Sequence, residues 1–336
     1  MKAVVTGAGG FLGGAIARTL SDRGDEVKGF SRGKHTELAG DGIEQHQGDV
    51  ADAESVNAAI HGADIVFHAA AKVGAGGSHA DFYATNVTGT ENVLAACRKC
   101  GVAGLVYTST PSVVTGLEDL EGVDESVSYP ERYDAHYGQT KAEAERVVLS
   151  ASSESLGAVA LRPPLVWGPG DTSLLPRIID RGRSGALRRI KGPPKRQDVT
   201  YIDDAVEAHL LAGDALLAGG ERAARISGRP YFVSSGEPIE VWEFLNQLLE
   251  AAGVSPIRKS VSLPMALAVG WAFEKTHALS GAGGDPRMSR WMVRQLTTSR
   301  WFDIGAARRD LGYEPRVSVE EGMRHLKAWL DGPPGA

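Results

Sequence analysis

The sequence predicts an α/β fold, a doubly wound parallel sheet followed by a smaller mixed region. Three observations support this prediction. An apolar strand containing Val4 and Val5 runs into a glycine-rich turn and then into a helix with apolar periodicity, all within Met1–Leu20. Strand-like and helix-like segments alternate from there to residue 165, as in a parallel sheet covered by helices. Over 166–336 the alternation is irregular, and we expect crossings back to the core over 1–165 without a sharp boundary.

The first strand is predicted to be central, because its apolar residues can be covered on both faces. The other predicted core elements are the strands Glu26–Ser31, Ile43–Gln47, Ala63–His68, Gly104–Ser109 and Ala158–Arg162, the helices Asp81–Lys99 and Tyr137–Ser150, and a loop, Gly116–Asp134. The second region contains predicted helices at Leu174–Arg183, Asp203–Leu217 and Val241–Ala252, with extended segments at Val199–Ile202 and Tyr231–Val233.

The glycine-rich turn predicts a dinucleotide site of the Rossmann type. Gly7 permits the sharp bend, Gly10 lets backbone N–H groups approach a pyrophosphate, and Gly13 lets the helix pack closely on the strand. Such a turn can also be only a turn, but its place between a strand and an apolar helix favours cofactor binding.

The end of the second strand indicates which dinucleotide binds. An NAD site has Asp or Glu here to bond the ribose 2′-hydroxyl. This chain has Ser31, Arg32 and Lys34 instead, a hydroxyl and two cations that suit a 2′-phosphate. We therefore expect NADPH (NADP⁺) in preference to NADH.

The composition excludes some classes of partner. The 336 residues are 42% hydrophobic and 23% charged, and the net charge of −6 comes without a basic block, so nucleic acid is not an expected partner. The N-terminus has no signal-peptide pattern and no run approaches about twenty apolar residues, so a cytoplasmic location is predicted.

Cys97 and Cys100 form a CxxC pair near the end of a predicted helix. Two ligands without a second pair cannot complete a tetrahedral zinc site, and a redox CxxC is expected at a helix start. We interpret both cysteines as structural and expect no metal in the site.

The stretch Tyr137–Lys141 predicts the catalytic pair. The i, i+4 spacing places the phenol and the ammonium on one helix face. A nearby ammonium would favour the phenolate and bring the pKa of Tyr137 towards neutrality. The motif alone is common, but together with the glycine-rich turn upstream it favours a catalytic role for Tyr137 and Lys141.

Two further side chains at strand ends are candidates. Thr110 directly follows the fifth strand, where its hydroxyl can hold a substrate oxygen, and Ser109 is its competitor for this role. His68 ends the fourth strand, and we expect it to be a structural histidine rather than a catalytic one.

The chain resembles the extended short-chain dehydrogenases/reductases, in the group of NAD-dependent epimerases/dehydratases and 3β-hydroxysteroid dehydrogenases. The resemblance covers nearly the whole chain. It rests on TGAGGFLG at Thr6–Gly13, GDVAD, HAAA, NVTGTENVL, YTSTPSV, YGQTK, RPPLVWGPGD at Arg162–Asp171 and VTYIDDA at Val199–Ala205.

This resemblance implies a role for individual residues. It places Thr110 as the catalytic Ser/Thr beside Tyr137 and Lys141, Asp49 and Val50 at the adenine, and Pro163 and Val166 at the nicotinamide. The cofactor contacts expected in full are Gly7, Gly10, Phe11, Leu12, Gly13, Ser31, Arg32, Asp49, Val50, His68, Ala69, Ala70, Tyr137, Lys141, Pro163 and Val166.

The resemblance also narrows the substrate. Sugar-nucleotide enzymes of the group have an arginine where this chain has Gln197, with Arg196 one residue away, which disfavours a nucleotide-sugar substrate. The STPSV run, the apolar C-terminal part and the ending from Trp301 are most similar to 2-alkyl-3-oxoalkanoate reductases of bacterial long-chain olefin synthesis. That similarity implies NADPH-dependent reduction of a hydrophobic β-keto acid.

Rival interpretations remain open. One is a 3β-hydroxysteroid or sterol-4-carboxylate dehydrogenase acting in the reverse direction. Less favoured are a nucleotide-sugar epimerase/dehydratase, which would retain NAD, and a non-catalytic nucleotide sensor, whose usual mark is loss of the Tyr/Lys pair.

The apolar segment Leu263–Phe273 has no assigned role in the sequence. Together with Trp291, Met292 and Trp301 it either fills a core, lines a channel for a hydrophobic substrate, or contacts a membrane or a pathway enzyme. Helices Thr90–Lys99 and Tyr137–Ser150 are candidates for a homodimer interface, as in related enzymes.

Overall fold

The computed structural model describes residues 1–280 and 285–332. Its strands are β1 (Lys2–Thr6), β2 (Glu26–Ser31), β3 (Glu44–Gln47), β4 (Ile65–His68), β5 (Gly104–Thr108), β6 (Leu120–Val123), β7 (Gly157–Arg162), β8 (Val166–Trp167), β9 (Arg189–Ile190), β10 (Arg196–Gln197), β11 (Thr200–Tyr201), β12 (Pro230–Phe232), β13 (Ile239–Glu240), β14 (Ser260–Val261) and β15 (Arg300–Phe302).

Its helices are α1 (Phe11–Asp22), α2 (Thr36–Gly40), α3 (Ala53–Ile60), α4 (His79–Tyr83), α5 (Gly89–Cys100), α6 (His136–Ser150), α7 (Leu174–Arg183), α8 (Ile202–Ala218), α9 (Gly220–Ile226), α10 (Val241–Ala251), α11 (Leu263–Ser280), α12 (Arg290–Gln295), α13 (Gly305–Leu311) and α14 (Val319–Asp331). A π-helical turn covers Ala84–Thr88, and a short 3₁₀ helix covers Pro111–Val113.

The main sheet is parallel, with the strand order β12-β7-β5-β4-β1-β2-β3. β1 is central, as predicted: Ala3 and Val5 pack into the core on one face and Val4 into the core on the other. Helices α1 and α8 cover the first face, and α3, α5 and α6 cover the second. The doubly wound fold is therefore confirmed, and the carboxyl ends of its strands meet at one edge.

The second half of the chain returns to this sheet. β12, in the predicted extended segment Tyr231–Val233, pairs with β7 and extends the main sheet at its edge. A smaller sheet has the order β13-β10-β15-β6. Its strand β6 lies inside Gly116–Asp134, which the sequence pattern predicted as a loop. That prediction was wrong at β6, which is short and exposed and is held by pairing with the distant β15.

The predicted single helix Asp81–Lys99 is also interrupted. The π-helical turn over Ala84–Thr88 separates α4 from α5. Within it, the buried Asn86 receives the Lys72 backbone N–H at 2.7 Å and donates to the Lys72 carbonyl and to the Thr140 hydroxyl. The extra helical residue directs Asn86 at the loop after β4 and at α6, which is why the regular helix breaks here.

α11 is exposed along most of its length. Ala266 and Gly270 are its buried residues, whereas Trp271 is 50% exposed and Leu279 is 88% exposed. The structure therefore excludes the core interpretation for most of Leu263–Phe273. No helix of the described residues is long and apolar enough to cross a bilayer.

Candidate active site

The glycine-rich turn is built for a close approach of another backbone. Gly7 has φ +73°, and a Cβ on it would lie 2.8 Å from the Ala70 nitrogen. A Cβ on Gly13 would lie 2.3 Å from the carbonyl oxygen of Gly7. Gly10 precedes α1 without a side-chain cap, so no side chain occupies the first N–H groups of this helix. These features fit a dinucleotide pyrophosphate at the helix N-terminus.

His68 connects β4 to its neighbours from a fully buried position. Its Nδ1 lies 2.6 Å from the Thr6 hydroxyl, and its Nε2 lies 3.0 Å from the Thr90 hydroxyl. Burial, with a contribution from the nearby Lys141 charge, lowers the pKa of His68 to about 3, so the ring is neutral. The enclosed ring connects Thr6 and Thr90, and a contact of His68 with the cofactor stays a prediction.

The other predicted cofactor residues lie near the carboxyl edge of the sheet. Asp49 is exposed and its carboxylate receives the Ala51 N–H, while Val50 is buried against Gly89. Ala69 and Ala70 are tied by their N–H groups to the backbone and hydroxyl oxygens of Thr6. Around them are Phe11 and Leu12 at the start of α1, Pro163 after β7 and Val166 in β8. Their contacts with a cofactor stay predictions.

The end of β2 presents unpaired cations. Arg32 and Lys34 are exposed, and within residues 1–280 and 285–332 their side chains have no ion-pair partner. Ser31 donates its hydroxyl to the Gly33 carbonyl at 2.9 Å. His35, which the sequence interpretation did not single out, places its ring against Gly9 of the glycine-rich turn.

Tyr137 and Thr110 meet at the carboxyl end of β5. The Thr110 side chain is close enough to lower the pKa of Tyr137 against the effect of burial, and Tyr137 is partly exposed. Thr110 also caps the 3₁₀ helix by accepting the Ser112 N–H at 3.2 Å. Ser109 is directed elsewhere, because its hydroxyl donates to the buried Glu145. This geometry favours Thr110 over Ser109 as the partner of a substrate oxygen.

The Lys141 amine is directed at the carboxyl end of β5. Its Nζ donates to the Thr108 carbonyl at 2.6 Å and lies 3.9 Å from the centre of the Tyr107 ring. Burial lowers the pKa of Lys141 to about 7, and the Glu145 carboxylate opposes that shift. Burial raises the pKa of Tyr137 to about 12, only partly offset by the Thr110 hydrogen bond. The pKa of Tyr137 is thus shifted in the direction opposite to that expected from a nearby ammonium, and an action of Lys141 on the phenol stays a prediction.

Glu145 is a further residue of the site that the sequence interpretation missed. Its fully buried carboxylate pairs with Arg162, with contacts of 2.6 and 3.0 Å, and accepts the Tyr129 hydroxyl at 2.6 Å. Through Ser109 and Lys141 it connects β5, β7 and α6 behind the catalytic side chains. Its spacing of four residues from Lys141 places it on the same helix face, a signal that could have identified it.

A cavity of about 460 Å³ lies beside the outer face of α6. Tyr137 and Thr110 are not among the described residues that line it, so it neighbours the site rather than containing it. Its lining residues include the ion pairs Asp134–Arg294 and Glu274–Arg290, together with Ala75, His136 and Trp291.

The CxxC pair lies away from these groups. Cys97 is buried in the core, and burial raises its thiol pKa to about 12. The Cys100 sulfur lies 3.9 Å from the Asn57 amide oxygen. Neither thiol is placed for chemistry at the carboxyl edge.

Comparison with known proteins adds to this geometry. The model of the 3-beta hydroxysteroid dehydrogenase/isomerase family matches residues 4–265. The chain belongs to that family. A 2-alkyl-3-oxoalkanoate reductase of Stenotrophomonas maltophilia is 46% identical over 98% of this chain and 99% of its own length, and one of Shewanella oneidensis is 42% identical over 98% and 86%.

A more distant sequence relative and two solved structures are also similar to this chain. A 3 beta-hydroxysteroid dehydrogenase/Delta 5-->4-isomerase of Mycobacterium tuberculosis is 34% identical over 96% of this chain and 88% of its own length. The solved structure of gox2253 superimposes with a TM-score of 0.76 at 25% identity, covering 98% of this chain and 97% of that one. A Bacillus cereus UDP-glucuronic acid 4-epimerase in complex with NAD, 21% identical, shows the same fold with a TM-score of 0.74 over 98% of both chains. The chain is thus an NAD(P)-dependent oxidoreductase of the extended short-chain dehydrogenase/reductase group.

Proposed function

We propose that this protein reduces a hydrophobic β-keto acid, a 2-alkyl-3-oxoalkanoate, to the 3-hydroxy acid with NADPH. The observation that carries the proposal is that Tyr137 and Thr110 meet at the carboxyl end of the sheet whose first strand leads into the glycine-rich turn, in a chain that is 46% identical, over 98% of its length, to a reductase of that name. The chemistry that the cofactor supplies when bound is hydride transfer to the ketone carbon.

Tyr137 is suited to donate the proton. With its pKa raised to about 12, the phenol keeps its proton at neutral pH, as a general acid for ketone reduction must. Thr110 holds the ketone oxygen next to that phenol by a hydrogen bond. Lys141 lies four residues after Tyr137 on α6 and is the proposed ligand of the cofactor ribose. Its amine is oriented by the hydrogen bond that it donates to the Thr108 carbonyl. No step requires a metal ion.

NADPH is the proposed cofactor because of the charges at the end of β2. No carboxylate occupies the last position of that strand, where an NAD site would have one. Arg32 and Lys34 are exposed and available for a 2′-phosphate.

The proposed substrate and α11 share an apolar character. Leu263, Met265, Trp271 and Phe273 expose apolar surface on this helix. Arg258, Lys259 and Lys275 are exposed beside or on it, and Arg290 neutralises its acidic residue, Glu274. We propose that α11 lies on an anionic lipid surface, from which a long-chain keto acid reaches the site.

A homodimer is the proposed assembly. Helices α5 and α6 lie side by side on one face of the sheet, and Ala95, Arg98 and Arg146 are exposed on them. We propose that this pair of helices meets its copy across a two-fold axis. Sedimentation equilibrium should give the mass of two chains, and a single-chain mass at micromolar concentration would contradict it.

A second candidate function is oxidation of a 3β-hydroxysterol, which the family match and the 34% identical mycobacterial relative favour. A paired assay separates the two candidates. Purified protein should oxidise NADPH in the presence of 2-alkyl-3-oxo acids, with rates that depend on tail length. Reduction of NADP⁺ or NAD⁺ by a 3β-hydroxysterol, without turnover of any keto acid, would overturn the first proposal.

A further inference from the structure

The His35 ring occupies a defined place at the adenosine end of the predicted cofactor site. A Cβ on Gly9 would lie 1.9 Å from the His35 Nε2 atom, and a Cβ on Gly33 would lie 3.5 Å from it. Gly9 does not have a positive φ, so the backbone itself does not require glycine there. A side chain at residue 9 would therefore require the His35 imidazole to move.

Several contacts hold His35 in this position. The Gln45 side chain accepts the His35 backbone N–H at 2.8 Å and donates to the His35 carbonyl at 2.7 Å. The ring Nδ1 lies 3.5 Å from a carboxylate oxygen of Glu37. The ring is thus oriented with Nδ1 towards Glu37 and Nε2 towards the glycine-rich turn.

The direction of Nε2 indicates a ligand. Gly9 belongs to the turn that receives the pyrophosphate, and Gly33 follows the strand end that meets the adenosine ribose. Arg32 and Lys34, which adjoin Gly33 in the sequence, are exposed cations, while the Ser31 hydroxyl is already used by the Gly33 carbonyl. Nε2 is therefore the ring nitrogen available to an anion between these two segments.

We infer that His35, together with Arg32, binds the 2′-phosphate of the cofactor and sets its preference for NADPH over NADH. The inference rests on the proposed use of NADPH and adds a residue to it. An imidazole on Gly9 closes the side of the phosphate site that faces the turn. Arg32 closes the solvent side.

The experiment measures binding without any substrate. Isothermal titration calorimetry compares NADP⁺, NAD⁺ and 2′,5′-ADP on the wild-type protein, His35→Ala and His35→Gln. Loss of one hydrogen bond to a charged group predicts that His35→Ala weakens NADP⁺ and 2′,5′-ADP on the order of ten- to a hundredfold and NAD⁺ less than threefold. His35→Gln keeps an N–H donor and should lose less.

Two further variants test the geometry. His61→Gln, an exposed histidine after α3 at the opposite edge of the sheet, is the matched control and should leave all three affinities unchanged. Gly9→Ala should displace the His35 ring and reproduce the NADP⁺ defect. Adding Gly9→Ala to His35→Ala should then cost little more, because no ring remains to collide with the new Cβ.

The outcomes distinguish this inference from the proposed function. A wild-type preference for NADP⁺ that survives in His35→Ala, or an equal loss of NADP⁺ and NAD⁺, would overturn the role of His35 and leave NADPH use standing. Equal wild-type affinities for NADP⁺ and NAD⁺ would overturn both. Thermal unfolding of each variant identifies any loss of binding that comes from misfolding, and His35→Gln then decides the question.

Discussion

Helix α6, which carries Tyr137 and Lys141, and the apolar helix α11 are held in the molecule in opposite ways. Lys141 and Glu145 of α6 are 2% and 0% exposed, and each is hydrogen-bonded or ion-paired to a neighbouring strand. On α11, the buried Ala266 and Gly270 and the ion-paired Glu274 are spaced four residues apart along one stripe. A Cβ on Gly270 would lie only 3.0 Å from the Arg290 nitrogen, so this contact is close but small.

The difference shows which contacts fix each helix in position. α6 is fixed by the core and by a buried polar network, so its side chains have one arrangement before any ligand arrives. The apolar surface of α11 has no internal partner over most of its length, and exposed surface of this kind marks an interaction site. The polar network of α6 is thus formed within the fold, whereas several large apolar side chains of α11 are exposed.

The largest expected effect is on Tyr137. Tyr137→Phe removes the proposed proton donor and keeps the ring, so kcat should fall about 10²- to 10⁴-fold while thermal unfolding changes little. Tyr83→Phe, on the exposed end of α4, is the matched control and should keep full activity. Comparable steady-state rates of Tyr137→Phe and wild type on a 2-alkyl-3-oxo acid would refute the mechanism.

Lys141→Met separates activity from stability. Loss of a hydrogen-bonding cation at the cofactor side should lower turnover on the order of ten- to a hundredfold. The variant should nevertheless be more stable than wild type at neutral pH, because it removes a group whose charge is costly to bury.

The pH dependence of that stability difference has a definite sign. The pKa of Lys141 is lowered to about 7 in the fold, against an ordinary value of 10.5, so between these values the unfolded chain binds the extra proton. Wild-type stability should therefore rise with pH across this window relative to Lys141→Met, by at most about 1.4 kcal/mol per pH unit. Urea unfolding of both proteins at pH 7 and 9.5 measures it, and a constant difference would show that the lysine titrates outside that window.

The sequence predicted the sheet, its central strand and the positions of Thr110, Tyr137 and Lys141, because glycine spacing, strand periodicity and helix-face spacing are local properties. It failed where the outcome depends on distant residues. β6 forms only because β15 pairs with it, and the break at Asn86 depends on Lys72 and Thr140. The direction of the Lys141 amine is set by the Thr108 carbonyl at the end of β5, which helix spacing alone does not reveal.

The next prediction concerns the binding of the exposed apolar surface of α11 to lipid. Trp271→Ser with Phe273→Ser should reduce partition onto vesicles of phosphatidylglycerol and phosphatidylcholine at least tenfold, since each buried aromatic contributes about 1.5–3 kcal/mol. Vesicle co-sedimentation of the whole protein measures it. Leu117→Ser removes a residue that is 63% exposed on another surface and should leave partition unchanged.

Two results would contradict lipid docking. Wild-type protein that stays in the supernatant at every lipid concentration excludes it outright. Equal partition of wild type and the double variant would place the contact elsewhere on the molecule.

The smallest expected effect comes from the ion pair that holds α11 in place. Glu274→Gln breaks the 2.8 Å contact with Arg290, whose side chain is 52% exposed, so the unfolding free energy should change by less than about 1 kcal/mol. Amide hydrogen exchange over residues 263–280 should nevertheless become faster, because most side chains of this helix are exposed. Exchange over α6 should stay unchanged in the same protein. Faster exchange in both helices would mean that α11 is part of the cooperative core, and the contrast between the two helices would then be wrong.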